Sequence, residues 1–395
     1  MIAGYIADKL IGKTNTISLG LIILVLGLLL AVLNNRIMLL SGLVFMAIGS
    51  TFAETIKLNL LNELFPKEGQ TRKRAFLWCF GVINLGCALG PLLFGYVSQM
   101  SSYKIPFIVA IIMNILCLVY FLLINKVIKS TLYTVNNWIY TLLITAICFA
   151  IGFLSFKYRY VSNGFMLVLL LGCLFWYIKL LIHRNSKEKI NLIKILAVTC
   201  LSLVFYILYY QLMVTLPMCF ITQVNRNIMG IMLPGSSLLS IQTTFVVLIT
   251  YFMAKITLKS NIAELSNTNS LLFGLFLAGL SFYMFGSMFK DSTVIIPLWL
   301  PVLAAAILAG GEVLLSPTIS SAITKLAPKE IQGRINGFSI LAMSLAGNIA
   351  GAIGVIIMHT DKIEAGMFSP IALVIMFVTI LIFGGVHLIT LGKNR

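Results

Sequence analysis

Three ionisable residues stand where ionisable residues are costly: Glu54, Lys57 and Glu312 all fall inside long apolar stretches. A charge at mid-bilayer costs about 2.5–3.5 kcal/mol on insertion scales, so such groups normally face a bundle interior or a wet cavity. Glu312 is the most isolated, deep in its stretch and well clear of Val294 and Lys325. Gly310 and Gly311 precede it, and Ser316 lies one turn later on the same face. Pro317 then removes a backbone donor and frees a carbonyl. The carboxyl either serves a polar solute or a proton, or is a protonated group hydrogen-bonded between helices. Lys57 lies nearer the end of its stretch, so its ammonium faces a cavity or its four-carbon stem snorkels to the interface. Glu54, three residues earlier, shares its helical face; the two form a working pair or a purely structural one.

Amides extend the pattern. Asn84 lies in an apolar run beside Gly86, Gly90 and Pro91, and Gln211 and Gln242 lie in others. Buried amides need partners, so each bridges helices or faces a polar solute. The glycines permit close helix packing. His387 reads as a packing residue, His183 and His359 as loop residues. The seven cysteines all sit in apolar runs without metal-ligand spacing, which marks packing side chains. No serine–histidine–acid, paired-carboxylate, metal or phosphate-loop constellation is present. The available chemistry is binding and proton transfer, not that of an enzyme.

Composition dictates the elements that hold these groups. Of 395 residues, 60% are hydrophobic and 10% charged, against about 25% charged in a soluble domain. The chain is read as an all-α integral membrane protein. A span needs about 20 apolar residues, and the apolar runs predict twelve helices near 16–33, 38–62, 75–98, 105–125, 137–156, 163–182, 194–221, 234–254, 268–289, 294–324, 333–357 and 369–391. Alternation is absent and the runs are too long for barrel strands. The net charge of +17 reflects the positive-inside rule, not nucleic-acid binding. Most lysines and arginines fall in alternate loops, around Lys9 and Lys13, Arg72-Lys73-Arg74, Lys126 and Lys129, Lys179 to Lys194, Lys255 and Lys259, Lys325 to Arg334, and the end of the chain. That side, with both termini, is expected in the cytoplasm. No cleavable leader is expected, because the first long apolar run begins near Thr16 after a polar, loop-like start.

These motifs resemble the proton-dependent oligopeptide transporters, a branch of the major facilitator superfamily, over nearly the whole chain. Gly4-Tyr5-Ile6-Ala7-Asp8-Lys9-Leu10-Ile11-Gly12-Lys13 looks like the superfamily loop between helices 2 and 3, a gating motif through Gly4, Asp8 and Gly12. Lys57-Leu58-Asn59 resembles the family's helix 4 motif. Phe76 through Ile83-Asn84-Leu85-Gly86 resembles its helix 5 signature, Tyr210-Gln211 its helix 7, and Leu233-Pro234-Gly235-Ser236 the opening of helix 8. The strongest match is Gly311-Glu312-Val313-Leu314-Leu315-Ser316-Pro317, followed by Thr324-Lys325-Leu326-Ala327-Pro328 and Gly347-Asn348. A helical pair at 129–190, bounded by basic loops, resembles the hairpin that bacterial members insert between two six-helix bundles.

The resemblance implies a major facilitator fold: residues 1–128 as the remainder of an N-terminal bundle, 129–190 as the hairpin, and 191–395 as the C-terminal bundle. It implies proton-coupled import of di- and tripeptides across the inner membrane. Lys57 would attract the peptide carboxylate, Glu312 the ammonium, and Asn84 the peptide backbone; Gln211, Gln242 and Ser316 would complete the binding set. Glu312 would carry the coupling proton, and Glu54, at a position where the family usually has a small residue, is expected to substitute in part for a missing acid near Lys57 in proton coupling. No cofactor beyond the proton, no metal and no nucleic acid is expected. Physics supports the pairing, since opposite charges on two bundles clamp a zwitterion and its capture favours closure in alternating access.

Departures qualify it. Gln242 replaces the family's helix 8 asparagine, Leu239 a glutamine, Leu58 a proline and Phe80 a tyrosine, while Ile340 stands near the place of a tryptophan. Met1 falls near the end of the family's helix 2. A truncated or split product, or a misassigned start, is therefore expected, with a separate chain carrying the first two helices as a candidate partner. The rival readings are a non-transporting remnant and a transporter of another small organic solute.

Overall fold

The computed structural model describes residues 2–33, 35–64, 70–125, 137–259, 267–291, 293–328, 331–359, 368–376 and 378–379. Helices dominate them, because a segment in hydrocarbon must satisfy its backbone donors and acceptors internally. Helix α1 (Ile2–Tyr5) runs into a π-helical turn (Ile6–Leu10). Then come α2 (Lys13–Val32), α3 (Arg36–Leu64), α4 (Gln70–Met100), α5 (Lys104–Asn125), α6 (Trp138–Lys157) and α7 (Arg159–Ile182). Helix α8 (Ser186–Tyr209) leads through a 3₁₀ turn (Tyr210–Leu212) to α9 (Leu216–Gln223). The remainder is α10 (Ser237–Lys259), α11 (Asn267–Met288), α12 (Trp299–Leu326), α13 (Gln332–His359) and a final helix over 368–376 and 378–379. Ten of the described helical stretches are long and apolar enough to cross a membrane. Each of the twelve predicted spans falls on a described helix, the last followed only to residue 379.

Two compact units emerge: Met1–Phe80 with Val97–Gly172, and Gly81–Tyr96 with Cys173–Arg395. This partition differs from boundaries at 128/129 and 190/191. The middle of α4 belongs to the second unit, and the hairpin is divided within α7. The cause lies in side chains: Tyr177 is buried with the second unit's core, stacks on Phe338 at 4.8 Å and donates to the Leu192 carbonyl at 2.7 Å.

In the first unit, α2 packs against α3 and α5. Asn35 starts α3 by accepting from the Ile37 amide at 2.8 Å, a side-chain cap on an otherwise orphaned donor. Glycines set the α2–α3 spacing. A Cβ added at Gly27 would stand 2.6 Å from the Met46 nitrogen, and one at Gly49 would stand 2.5 Å from the Leu24 nitrogen. Helix α6 packs on α3 through Phe45 and Phe149, with ring centroids 4.4 Å apart. The start of the chain is not the expected polar loop. Ala3, Ile6, Ala7 and Leu10 recur at helical spacing and are buried, with Ala3, Ile6 and Leu10 clustering with Ile23 and Phe52.

In the second unit, α12 packs on α8, α10, α11 and α13. The predicted span 194–221 is not one continuous helix. It breaks at 210–215, where Thr215 donates to the Gln211 side-chain carbonyl at 2.6 Å and Pro217 occupies the first turn of α9. Proline cannot donate to a continuing helical ladder. Among the described residues, four two-residue strands, absent from the sequence reading, lie between helices. β1 (Val224–Asn225) pairs in parallel with β4 (Ile296–Pro297), and β2 (Asn227–Ile228) pairs antiparallel with β3 (Ile231–Met232).

Candidate functional site

Glu312 is placed by the two faces of α12. Gly311 turns toward α11, where an added Cβ would stand 2.8 Å from the Gly274 carbonyl oxygen. One residue on, about 100° around the helix, Glu312 is half-buried and meets α10: Gln242 Nε2 donates to Glu312 Oε2 at 2.6 Å. From α8, Tyr206 and Tyr209 lie within electrostatic reach of the carboxyl, and the hydroxyls of Tyr206 and Ser316 hydrogen-bond. Among the described residues, no basic side chain lies within ion-pair distance of Glu312. The arrangement is a mid-span acid bonded to an amide, with two phenols within electrostatic reach. Such a carboxyl accepts a cationic group or a proton.

Gln242 is 0% exposed. Gln211 is 1% exposed and is spent on structure: it donates to the Ala350 carbonyl on α13 at 3.1 Å and accepts from Thr215. It bridges helices at the α8 break. Asn84 is half-buried on the part of α4 that belongs to the second unit. That segment is anchored to the start of α10, where Ser236 donates to the Pro91 carbonyl at 2.5 Å and Gly95 leaves room for Pro234. Cys87, one turn beyond Asn84, lies within electrostatic reach of Tyr209.

Glu54 is exposed on α3, and the Lys57 side chain lies outside the described residues. Of the loop motif, Gly4 is in α1, Asp8 is exposed on the π-helical turn, and Gly12 adopts φ +81° and ψ 162° before α2. That backbone region is essentially confined to glycine, and Gly12 thereby presents its carbonyl to the Thr16 hydroxyl at 2.8 Å. Sequence reasoning passed over Tyr206 and Tyr209. The available signal was three tyrosines at 206, 209 and 210, with hydroxyls inside an apolar run at helical spacing.

The helical architecture with a mid-span carboxyl defines a membrane transporter, and a sequence model of the Major Facilitator Superfamily matches residues 1–351. The chain belongs to that superfamily. Within it, the similarities run to the proton-dependent oligopeptide transporter branch. The chain is 26% identical to the uncharacterised transporter YclF of Bacillus subtilis, over 98% of this chain and 81% of that one. It is 25% identical to the dipeptide and tripeptide permease B of Shigella dysenteriae, over 99% and 82%. A solved POT family transporter, in complex with a thioalcohol-conjugated peptide, superposes with a TM-score of 0.83 at 21% identity, covering 96% of this chain and 83% of that one.

Proposed function

We propose that this protein is a proton-coupled symporter of di- and tripeptides, working by alternating access in the inner membrane with both termini in the cytoplasm. The observation that carries the reading is the half-buried Glu312 carboxyl, held in mid-span by Gln242 and lacking a basic partner among the described residues. An uncompensated acid in a membrane interior is costly. A proton or a peptide's ammonium compensates it, so the carboxyl is a group whose charge state depends on the load it carries. Asn84 is assigned to the peptide backbone, and Lys57, by resemblance, to the peptide carboxylate. The peptide-permease relative and the peptide-bound fold neighbour support the same substrate class.

The test is uptake of a radiolabelled dipeptide into proteoliposomes under an inward proton gradient. Wild type concentrates the peptide, whereas Glu312→Gln, which keeps shape and hydrogen bonding but cannot exchange a proton, does not. Full concentrative uptake by that variant would overturn the coupling role.

A further inference from the structure

We infer that the tip of the α6–α7 hairpin, together with the start of α3, binds the headgroup of an anionic phospholipid through Lys157 and Arg36. Both residues belong to the first unit, and the inference does not depend on what the chain transports.

Helix register brings the two cations level. Helices α3 and α6 pack antiparallel: Phe45 stacks on Phe149 at 4.4 Å, and a Cβ at Gly152 would stand 2.8 Å from Val44 Cγ1. At 1.5 Å per residue, Arg36 lies about 14 Å along α3 from Phe45, and Lys157 about 12 Å along α6 from Phe149. Both side chains are exposed. One residue, Tyr158, joins α6 to α7, and its carbonyl accepts from the Val161 amide at 3.0 Å. A third cation, Arg159, is the first residue of α7. Lys157 Nζ stands 5.2 Å from the Tyr158 ring centroid, a contact that holds the ammonium without neutralising it.

No acid balances this corner. The acids in the first unit's sequence are Asp8, Glu54, Glu63 and Glu68. Glu54 is about 27 Å along α3 from Arg36, with Glu63 and Glu68 later still in the chain. Asp8 precedes α2, a whole span away from Arg36. Among the described residues, none lies within ion-pair distance of Arg36 or Lys157. The hairpin tip and the start of α3 lie opposite the basic loops, on the side that the positive-inside rule keeps poor in lysine and arginine. Cations gathered there call for an anionic partner, and the flanking surface says which. Ile37, Met38 and Leu39 follow Arg36, and Leu154 and Phe156 precede Lys157, all exposed. Tyr158 and Tyr160, with ring centroids 5.5 Å apart, are of the type that collects at headgroup level. A lipid phosphate on the cations continues into acyl chains along these apolar side chains, which a free anion cannot do.

The experiment titrates the full chain, in detergent micelles, with phosphatidylglycerol or phosphatidylcholine of identical acyl chains and counts bound lipid by native mass spectrometry. Wild type should bind phosphatidylglycerol in preference. Lys157→Gln should weaken its tightest site about fivefold and Arg36→Gln/Lys157→Gln about twenty-five-fold, the worth of one and two cations facing anionic lipid. Lys157→Arg, which keeps the charge, should retain it, and Lys290→Gln, which removes a cation from another loop of the same side, should leave it unchanged. Equal affinity for the two lipids, or equal binding by the double variant, would overturn the inference. So would a loss of the same size in Lys290→Gln, which would mean net charge and not this corner, or displacement of the lipid by an equimolar amount of inorganic phosphate, which would mean a site for free anions.

Discussion

Two adjacent glycines on α12 should respond unequally to the same added methyl. At Gly311 a Cβ would lie 2.8 Å from the Gly274 carbonyl oxygen and 3.3 Å from the Ala278 nitrogen, both backbone atoms of α11 that cannot rotate aside. Relief requires α11 and α12 to separate by about 0.5 Å, and overpacking of this kind costs about 1–3 kcal/mol. At Gly310 the new methyl would meet only Leu277 Cδ1, at 3.5 Å, which is ordinary contact. There the substitution removes glycine's entropic cost in a helix interior, a gain of about 0.5–1 kcal/mol. The entropic gain is common to both substitutions, so Gly311→Ala and Gly310→Ala should differ by the overpacking cost, roughly 1–3 kcal/mol, with Gly310→Ala the more stable. Equilibrium unfolding in mixed micelles, titrated with sodium dodecyl sulfate, measures both. Equal midpoints for the two variants, or a Gly311→Ala protein more stable than wild type, would refute the close approach. The displacement also bears on the site, since it moves Glu312 relative to a hydrogen bond of 2.6 Å, so Gly311→Ala should lose uptake while Gly310→Ala keeps it.

Two further substitutions probe the cores of the separate units. Gly27→Val should destabilise the first unit by at least as much as Gly311→Ala does the second, because its Cβ would lie 2.6 Å from the Met46 nitrogen and 2.7 Å from the Gly42 carbonyl oxygen; loss of monodisperse protein in size-exclusion chromatography after mild heating checks it. Tyr177→Phe should lower the unfolding free energy by about 1–2 kcal/mol, since it leaves the buried Leu192 carbonyl without its 2.7 Å donor while keeping the ring stacked on Phe338. If that variant matched wild type in the same titration, Tyr177 would not be what ties the end of α7 to the second unit.

Spans were legible because apolar length is a one-dimensional property and a bilayer reads it directly. Glu312 was legible for the same reason, as an acid alone in an apolar run. The break at 210–215 was not. Residues 194–216 contain neither glycine nor proline, so hydropathy ran unbroken through a backbone change fixed by Thr215, Gln211 and Pro217. The opening helical segment was obscured by Asp8, Lys9 and Lys13; Asp8 and Lys9 are exposed while Ala3, Ile6 and Leu10 pack inward. The role of Gln211 could be narrowed only by its partners, because a glutamine that bridges helices and one that faces a solute look alike in sequence.

The Gln242–Glu312 bond joins residues seventy positions apart on different helices, and no periodicity announces it. What makes it specific is a division of labour on α12. A helix turns about 100° per residue, so consecutive residues cannot serve the same neighbour. Gly311 must be small because its side of the helix lies against backbone, and that tight contact leaves the adjacent side facing α10 and α8. Glu312 is thus aimed by the absence of a side chain next to it. A larger residue at 311 would not remove a single group from the site, yet it would change which groups the carboxylate can reach. This is why the glycine belongs to the functional constellation as much as to the packing, and why the two glycines before the acid, identical in sequence, are unequal in consequence.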